Sequence, residues 1–266
     1  MFRRTALTGA FAALAASTVL GRAALVAEAP REARALVAAA SDLKFALDEV
    51  VAAFRRDTGL DARVTFGSSG NFARQIEQGA PFELFFSADE AFVERLAAKG
   101  LTQDAGKLYG IGRIVLFAPQ GSVLVPDPGL ANLRALLERD AVTRFAIANP
   151  EHAPYGRAAE QALRSQGLWE RVQPKLVLGE NVSQAAQFAS SGDTVGGIFA
   201  YSLALAPDVG AKGTFVLLPA TLHAPLRQRM VLLKHARPPA DRLYHYVQSP
   251  PARQILTRYG FAQPER

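Results

Sequence analysis

The chain has 266 residues, 49% hydrophobic and 20% charged, with a formal charge of +6 and no cysteine. That is enough for one large or two small domains with real cores, and it excludes disulfides, thiolate chemistry and sulfur-ligated metals. Acidic and basic residues alternate along the helical stretches, with no basic stripe interleaved with aromatics, so nucleic-acid binding is not expected.

The first segment reads as a leader. Arg3 and Arg4 make a basic start, residues 6–20 are an apolar run broken only by Thr, Ser and Gly, and Ala27-Glu28-Ala29 offers the small residues a signal peptidase reads. The run is too short and too weak for a membrane-spanning helix. Residues 1–29 are therefore expected to be a cleaved secretory signal, with the arginine pair hinting at twin-arginine export. Cleavage after Ala29 removes Arg3, Arg4, Arg22 and Glu28, leaving 27 basic and 23 acidic residues, or +4.

Beyond the leader, strand-like and helix-like segments alternate. Residues 36–40 read as a buried strand, and Ser41 as the cap of a helix over 43–58 whose apolar positions are Leu43, Leu47, Val50, Val51 and Phe54. A strand over 62–66 passes through Gly67-Ser68-Ser69-Gly70 into a helix over 71–78, followed by a strand at 84–86 and a helix over 91–98. Strands are then expected at 114–118, 145–148, 175–178, 195–199, 215–218 and 230–233. Helices are expected at 133–138, 156–166, 182–190, 240–249 and 251–259. The pattern is α/β with largely parallel sheets. Residues 30–113 and 219–266 form one expected lobe and 114–218 the other, joined by two hinge crossovers.

Two strand-to-helix turns carry the chemistry, Ala39-Ala40-Ser41-Asp42-Leu43 and Phe66-Gly67-Ser68-Ser69-Gly70. The first turn of a helix leaves amides unpaired at the positive end of its dipole. Two such turns, both ending in Ser, can aim their donors at one anion; the plain alternative is two unrelated helix caps. Asp42 is expected to face outward and cap its own helix, Asp89 to cap the helix that follows it, and Arg74 to pair with Glu77 or Asp89. The four histidines stand at 152, 223, 235 and 245 without zinc-type spacing. His152 and His223 read as hinge or rim residues, and neither a metal nor a cofactor is indicated.

With those turns, three further stretches complete a resemblance: Gly79-Ala80-Pro81-Phe82-Glu83-Leu84-Phe85-Phe86-Ser87-Ala88-Asp89, Ala148-Asn149-Pro150-Glu151-His152-Ala153-Pro154-Tyr155-Gly156 and Gly179-Glu180-Asn181-Val182-Ser183-Gln184-Ala185. In this order and spacing they make the chain similar to the periplasmic molybdate-binding proteins of ABC transporters across residues 34–262. The resemblance implies a two-lobed type II periplasmic-binding fold that closes on a tetrahedral dianion. It places Ser41 and Ser68 as hydroxyl and amide donors, with Ser69 replacing or joining Ser68, and Tyr155 and Val182 as backbone donors from the second lobe. A tyrosine hydroxyl used in one branch of the family falls here at Ala200, with Tyr201 one step along; Tyr155 is the other candidate for that contact.

The resemblance further implies a periplasmic monomer, not an enzyme, that delivers molybdate, and tungstate with it, to an inner-membrane ABC permease. A receptor for another oxyanion such as phosphate or sulfate is the first alternative. An enzyme on the same scaffold is the second, though no Ser-His-Asp constellation supports it. A regulator's sensor half would need a DNA-binding head where the leader stands. A fully ionised oxyanion only accepts hydrogen bonds, so a site made only of donors suits it, whereas hydrogen phosphate also wants an acceptor for its proton.

Overall fold

The computed structural model describes residues 34–263; the expected signal segment lies outside the described residues. In chain order, the first lobe runs β1 (Arg34–Ala40), α1 (Lys44–Thr58), β2 (Asp61–Gly67), α2 (Ser69–Glu77), β3 (Leu84–Ser87), α3 (Glu90–Ala98) and β4 (Lys107–Gly112). The second contains β5 (Ile114–Pro119), α4 (Ala131–Glu138), β6 (Phe145–Ala148), α5 (Pro154–Ser165), α6 (Trp169–Val172), β7 (Leu176–Gly179), α7 (Val182–Ser190), β8 (Gly196–Ala200), α8 (Tyr201–Ala204), α9 (Pro207–Gly210) and β9 (Gly213–Leu217). The chain then returns to the first sheet with β10 (Leu226–Leu232), α10 (Pro238–Val247) and α11 (Pro250–Arg258).

Each lobe is built on one five-stranded sheet, ordered β2-β1-β3-β10-β4 in the first and β7-β6-β8-β5-β9 in the second. β1 lies parallel to β2 and β3, and β6 parallel to β7 and β8. β10 and β5 run antiparallel to both their neighbours, so each sheet is mixed. The two antiparallel strands are those that carry the chain between lobes, which is why the βα repeats on either side remain parallel.

The central strands read as continuous apolar runs because both faces are covered. In β1, Ala35, Val37 and Ala39 pack with Leu47 and Phe54 of α1 and Leu243 of α10, while Ala38 faces Phe72 and Ile76 of α2 and Val93 and Leu96 of α3. The second lobe has its own core around Phe117, Phe145 and Phe199. Edge strand β2 instead alternates between more and less exposed positions. α1 stops at Gly59, whose φ of 72° is the left-handed conformation that glycine accepts at a helix end.

Two strands differ from the sequence expectation. β4 was not anticipated, because Lys-Leu-Tyr-Gly-Ile-Gly lacks an apolar run; it is held as an edge strand by β10. β10 starts at Leu226 rather than 230, because Arg227, Gln228 and Arg229 disguise an alternation that buries Leu226, Gln228, Met230 and Leu232.

Candidate functional site

The carboxyl ends of β1, β2, β6 and β7 turn toward the space between the sheets, the position where open α/β sheets bind ligands. Ser41, Ser68, Ser69, Tyr155 and Val182 all line one small, closed-down pocket there. Ala40, Asp42, Gly67, Ala88, Ala153 and Pro154 complete the wall, so among the described residues no lysine, arginine or histidine lines it.

Ser41 opens a single 3-10 turn, Ser41–Leu43, that leads into α1. Its hydroxyl does not cap that helix, contrary to the sequence reading. It crosses the cleft, donating to Asn181 Oδ1 at 3.0 Å and accepting the Ser183 N–H at 3.1 Å. Ser183 Oγ donates in return to the Ser41 carbonyl at 2.8 Å. Ser68 is the N-cap of α2 by position, with φ −83° and ψ 135°, yet makes no side-chain cap. Its hydroxyl donates to the His152 carbonyl at 2.5 Å, with His152 Nδ1 at 3.0 Å, and Gly70 N–H donates to the same carbonyl at 3.0 Å. Ser69 is fully buried and accepts the Ala88 N–H at 3.0 Å, which fastens α2 to the end of β3.

Close approach requires a glycine here. A Cβ on Gly70 would stand 2.6 Å from the His152 carbonyl oxygen and 3.1 Å from its Cα. His152 itself is buried, with Nε2 3.5 Å from Glu180 of its own lobe, and its bonds to Ser68 and Gly70 make it a cross-cleft contact more than a rim residue. His223 does lie in the β9–β10 crossover, half-buried and with its pKa lowered by that burial.

From the second lobe, α5 and α7 present their N-termini. α5 has Pro154 at its first position and no side-chain cap, so Tyr155 carries the first N–H of the helix. In α7 the Asn181 side chain accepts from Gln184 N–H and Ser41 from Ser183 N–H, leaving the Val182 amide as the terminal donor.

Asp42 overturns its expectation. It is 1% exposed, and its Oδ2 accepts from Tyr155 Oη at 2.9 Å and from Gln228 Nε2 at 2.7 Å. Ser202 Oγ donates to the Asp42 carbonyl at 2.8 Å. Burial pushes the Asp42 carboxyl up to about 6, against the opposing pull of Gln228, Tyr155 and the neighbouring backbone amides. Burial, then the Asp42 charge, raises Tyr155 well above the usual phenol range. The Tyr155 hydroxyl is thus engaged by Asp42. Tyr201 is outside the pocket, its ring beneath the Arg113 guanidinium at 4.8 Å.

Asp89 caps α3 as expected, accepting from Ala91 N–H at 2.9 Å, and also pairs across the cleft with Arg157. Arg74 pairs with neither Glu77 nor Asp89: it donates to Asn71, while Glu77 is held by Arg95 at 2.8 Å and Lys99 at 3.1 Å. Sequence reasoning gave no role to Gln228, Asn181, Ser183 or Ser202, although Asn181 and Ser183 lie in a stretch that carries the resemblance and Gln228 is the polar member of an apolar alternation in β10.

A model of the bacterial extracellular solute-binding protein family matches residues 35–262. The chain belongs to this family. Among its relatives in the family, the molybdate-binding protein ModA of Azotobacter vinelandii is 34% identical over 240 residues, covering 89% of this chain and 93% of that one. ModA of Rhodobacter capsulatus is 33% identical over 229 residues, covering 85% and 87%. The solved structure of the Azotobacter vinelandii periplasmic molybdate-binding protein superposes with a TM-score of 0.78 at 28% identity, over 87% of this chain and all of that one. These solute-binding relatives share the two-lobed architecture described above.

Proposed function

We propose that this solute-binding protein captures molybdate, and tungstate with it, between its lobes and hands it to an inner-membrane ABC permease. Ser41 and Ser68 supply amide donors and, by turning their hydroxyls from Asn181 and the His152 carbonyl to the anion, hydroxyl donors as well, with Ser69 giving its amide and Tyr155 and Val182 backbone amides. No residue coordinates the metal, which stays inside its oxygen shell. Residues 30–113 with 219–266 move as one lobe and 114–218 as the other; residues 1–29 direct export to the periplasm, where the protein acts as a monomer without catalysis. The observation that carries this reading is a pocket without cationic side chains, surrounded by helix N-termini and serines. Such donors recognise an acceptor-only dianion by hydrogen bonding and dipole, with no formal countercharge.

One observation favours a second reading. Asp42 lines the pocket and its Oδ1 has no partner, so it could accept the proton of hydrogen phosphate. The two readings separate in one experiment, thermal shift and calorimetry with four anions at equal concentration. Molybdate and tungstate are expected to raise Tm, and sulfate to bind on the order of 100-fold more weakly, because the smaller ion leaves two or three hydrogen bonds long. A phosphate shift that disappears in Asp42→Asn, with molybdate silent, would replace this reading by the second.

A further inference from the structure

A pocket for a dianion has a carboxylate in its wall, and the hydrogens around that carboxylate do not suffice. Tyr155 Oη donates to Asp42 Oδ2, and Gln228 Nε2 donates to both Asp42 Oδ2 and Tyr155 Oη, at 2.7 and 2.9 Å. Every donor of the cluster is then engaged. Asp42 Oδ1 and Gln228 Oε1, both buried acceptors, have no partner among the described residues. The cluster is short of donors and is buried against the site of a second negative charge.

No cation makes good the deficit. The side chains that face Asp42 are Tyr109 from β4, Gln228 from β10, Tyr155 from α5 and Ser202 from α8, all neutral, and the backbone amides of Asp42 and Leu43 lie beside its carboxylate without closing a hydrogen bond to Oδ1. On the α7 side Asn181 and Ser183 bond to the adjacent Ser41 and are neutral too. Among the described residues no lysine, arginine or histidine pairs with Asp42, and Lys44, two residues on, is exposed. Tyr155 and Ser202 belong to the second lobe, whereas Asp42 belongs to the first, so the burial of Asp42 depends on closure.

Resting on the molybdate reading, we propose that Asp42 binds one proton from solvent as the lobes close on the anion and returns it when they part. Asp42 is then a positioning residue that acts through Tyr155 and Gln228, and the protein takes up a dianion and a proton as a pair. The proton converts an acceptor into a donor where acceptors are in excess. It also removes the like charge from beside the anion.

The sign follows from the two states. In the open form Asp42 meets water and titrates near its ordinary value; in the closed form burial holds it near 6. Between those values the closed form keeps a proton that the open form releases, so affinity rises as pH falls through 6 and is flat well above it. For a shift from 3.8 to about 6, binding at pH 5 is about tenfold tighter than at pH 7.5, with nearly one proton taken up per anion.

The test is calorimetry with micromolar sodium molybdate at both pH values, in two buffers of different ionisation enthalpy, on the wild type and Asp42→Asn. The expected result is uptake at pH 5 in the wild type and none in the variant, whose affinity no longer depends on pH. Referring one protein to the other cancels protonation of the anion itself. Difference infrared spectroscopy of the wild type makes the test independent of any variant: adding molybdate at pH 5 should replace a carboxylate band by a carboxylic-acid band. Tight binding with no proton uptake and no such band overturns this proposal and leaves the molybdate reading standing. No binding at either pH overturns the molybdate reading, and the proposal with it.

Discussion

The two lobes share one plan and meet the pocket by different means. Both have a central strand flanked by parallel neighbours, with the lobe-crossing strand added antiparallel, in the orders β2-β1-β3-β10-β4 and β7-β6-β8-β5-β9. The first lobe brings three serines, Ser41, Ser68 and Ser69, each with a side chain that can be deleted. The second brings helix starts whose useful atoms are backbone, at Tyr155 and Val182. On the proposed reading, a site built this way is sensitive to mutation on one side and nearly insensitive on the other.

The largest effect should come from keeping the lobes apart. Gly70→Val places a side chain where the His152 carbonyl lies 2.6 Å from the Cβ position, so closure is blocked while α2 itself tolerates the change. Molybdate affinity is expected to fall on the order of 100-fold or more, as two or three donors are lost at about 1.5 kcal/mol or more each. Scattering at saturating molybdate should show the larger radius of the open form; normal affinity would mean that the lobes do not close on the site.

Next come the first-lobe hydroxyls. Ser68→Ala and Ser41→Ala each remove a hydrogen bond to a charged ligand, about 1.5–3 kcal/mol, or roughly 10- to 150-fold by calorimetry. Unchanged binding in both variants would move the pocket elsewhere.

Tyr155→Phe tests which way that hydroxyl works. Because Tyr155 Oη donates to Asp42, its loss should lower unfolding stability by about 1–3 kcal/mol while affinity at pH 7.5 changes less than about threefold. A large affinity loss with unchanged stability would place the hydroxyl on the anion instead. The smallest effect belongs to Val182→Ala, which keeps the amide. Affinity should stay within about twofold, and stability fall by about 1 kcal/mol from lost packing. A tenfold loss of affinity there would break the contrast between the lobes.

The parts legible in the sequence were those with local causes. β1, β3 and β6 announced themselves as apolar runs because both of their faces are covered, and the serines stood at strand-to-helix turns whose unpaired amides are a property of any helix. What escaped was set by partners far along the chain. Asp42 looked like a surface cap because nothing within ten residues explains why it should be buried; its partners are Tyr155, Ser202 and Gln228, the last 186 positions away. Ser41 reads as a cap for the same reason, and the hydroxyls of Ser41 and Ser68 reach across to Asn181 and to His152. Arg74 was assigned to acids that turned out to be held by Arg95, Lys99 and Arg157.

Gly112, the last residue before the crossover into β5, has a mechanical consequence. A Cβ there would stand 2.3 Å from Tyr155 Oη and 2.7 Å from Gln228 Nε2, so the backbone on which the lobes pivot is pressed against the partners of Asp42. The next residue, Arg113, donates to the Gly260 carbonyl at 2.9 Å and lies over the Tyr201 ring, gripping both lobes at the same point. On the proposed closure the pivot sits beside the load, as in a nutcracker held close to its pin. A rotation about this point that barely moves the atoms around Asp42 carries residues farther from Gly112 through a longer arc. A pair of spin labels, one on each lobe far from Gly112, would therefore read the state of the pocket with the greatest gain.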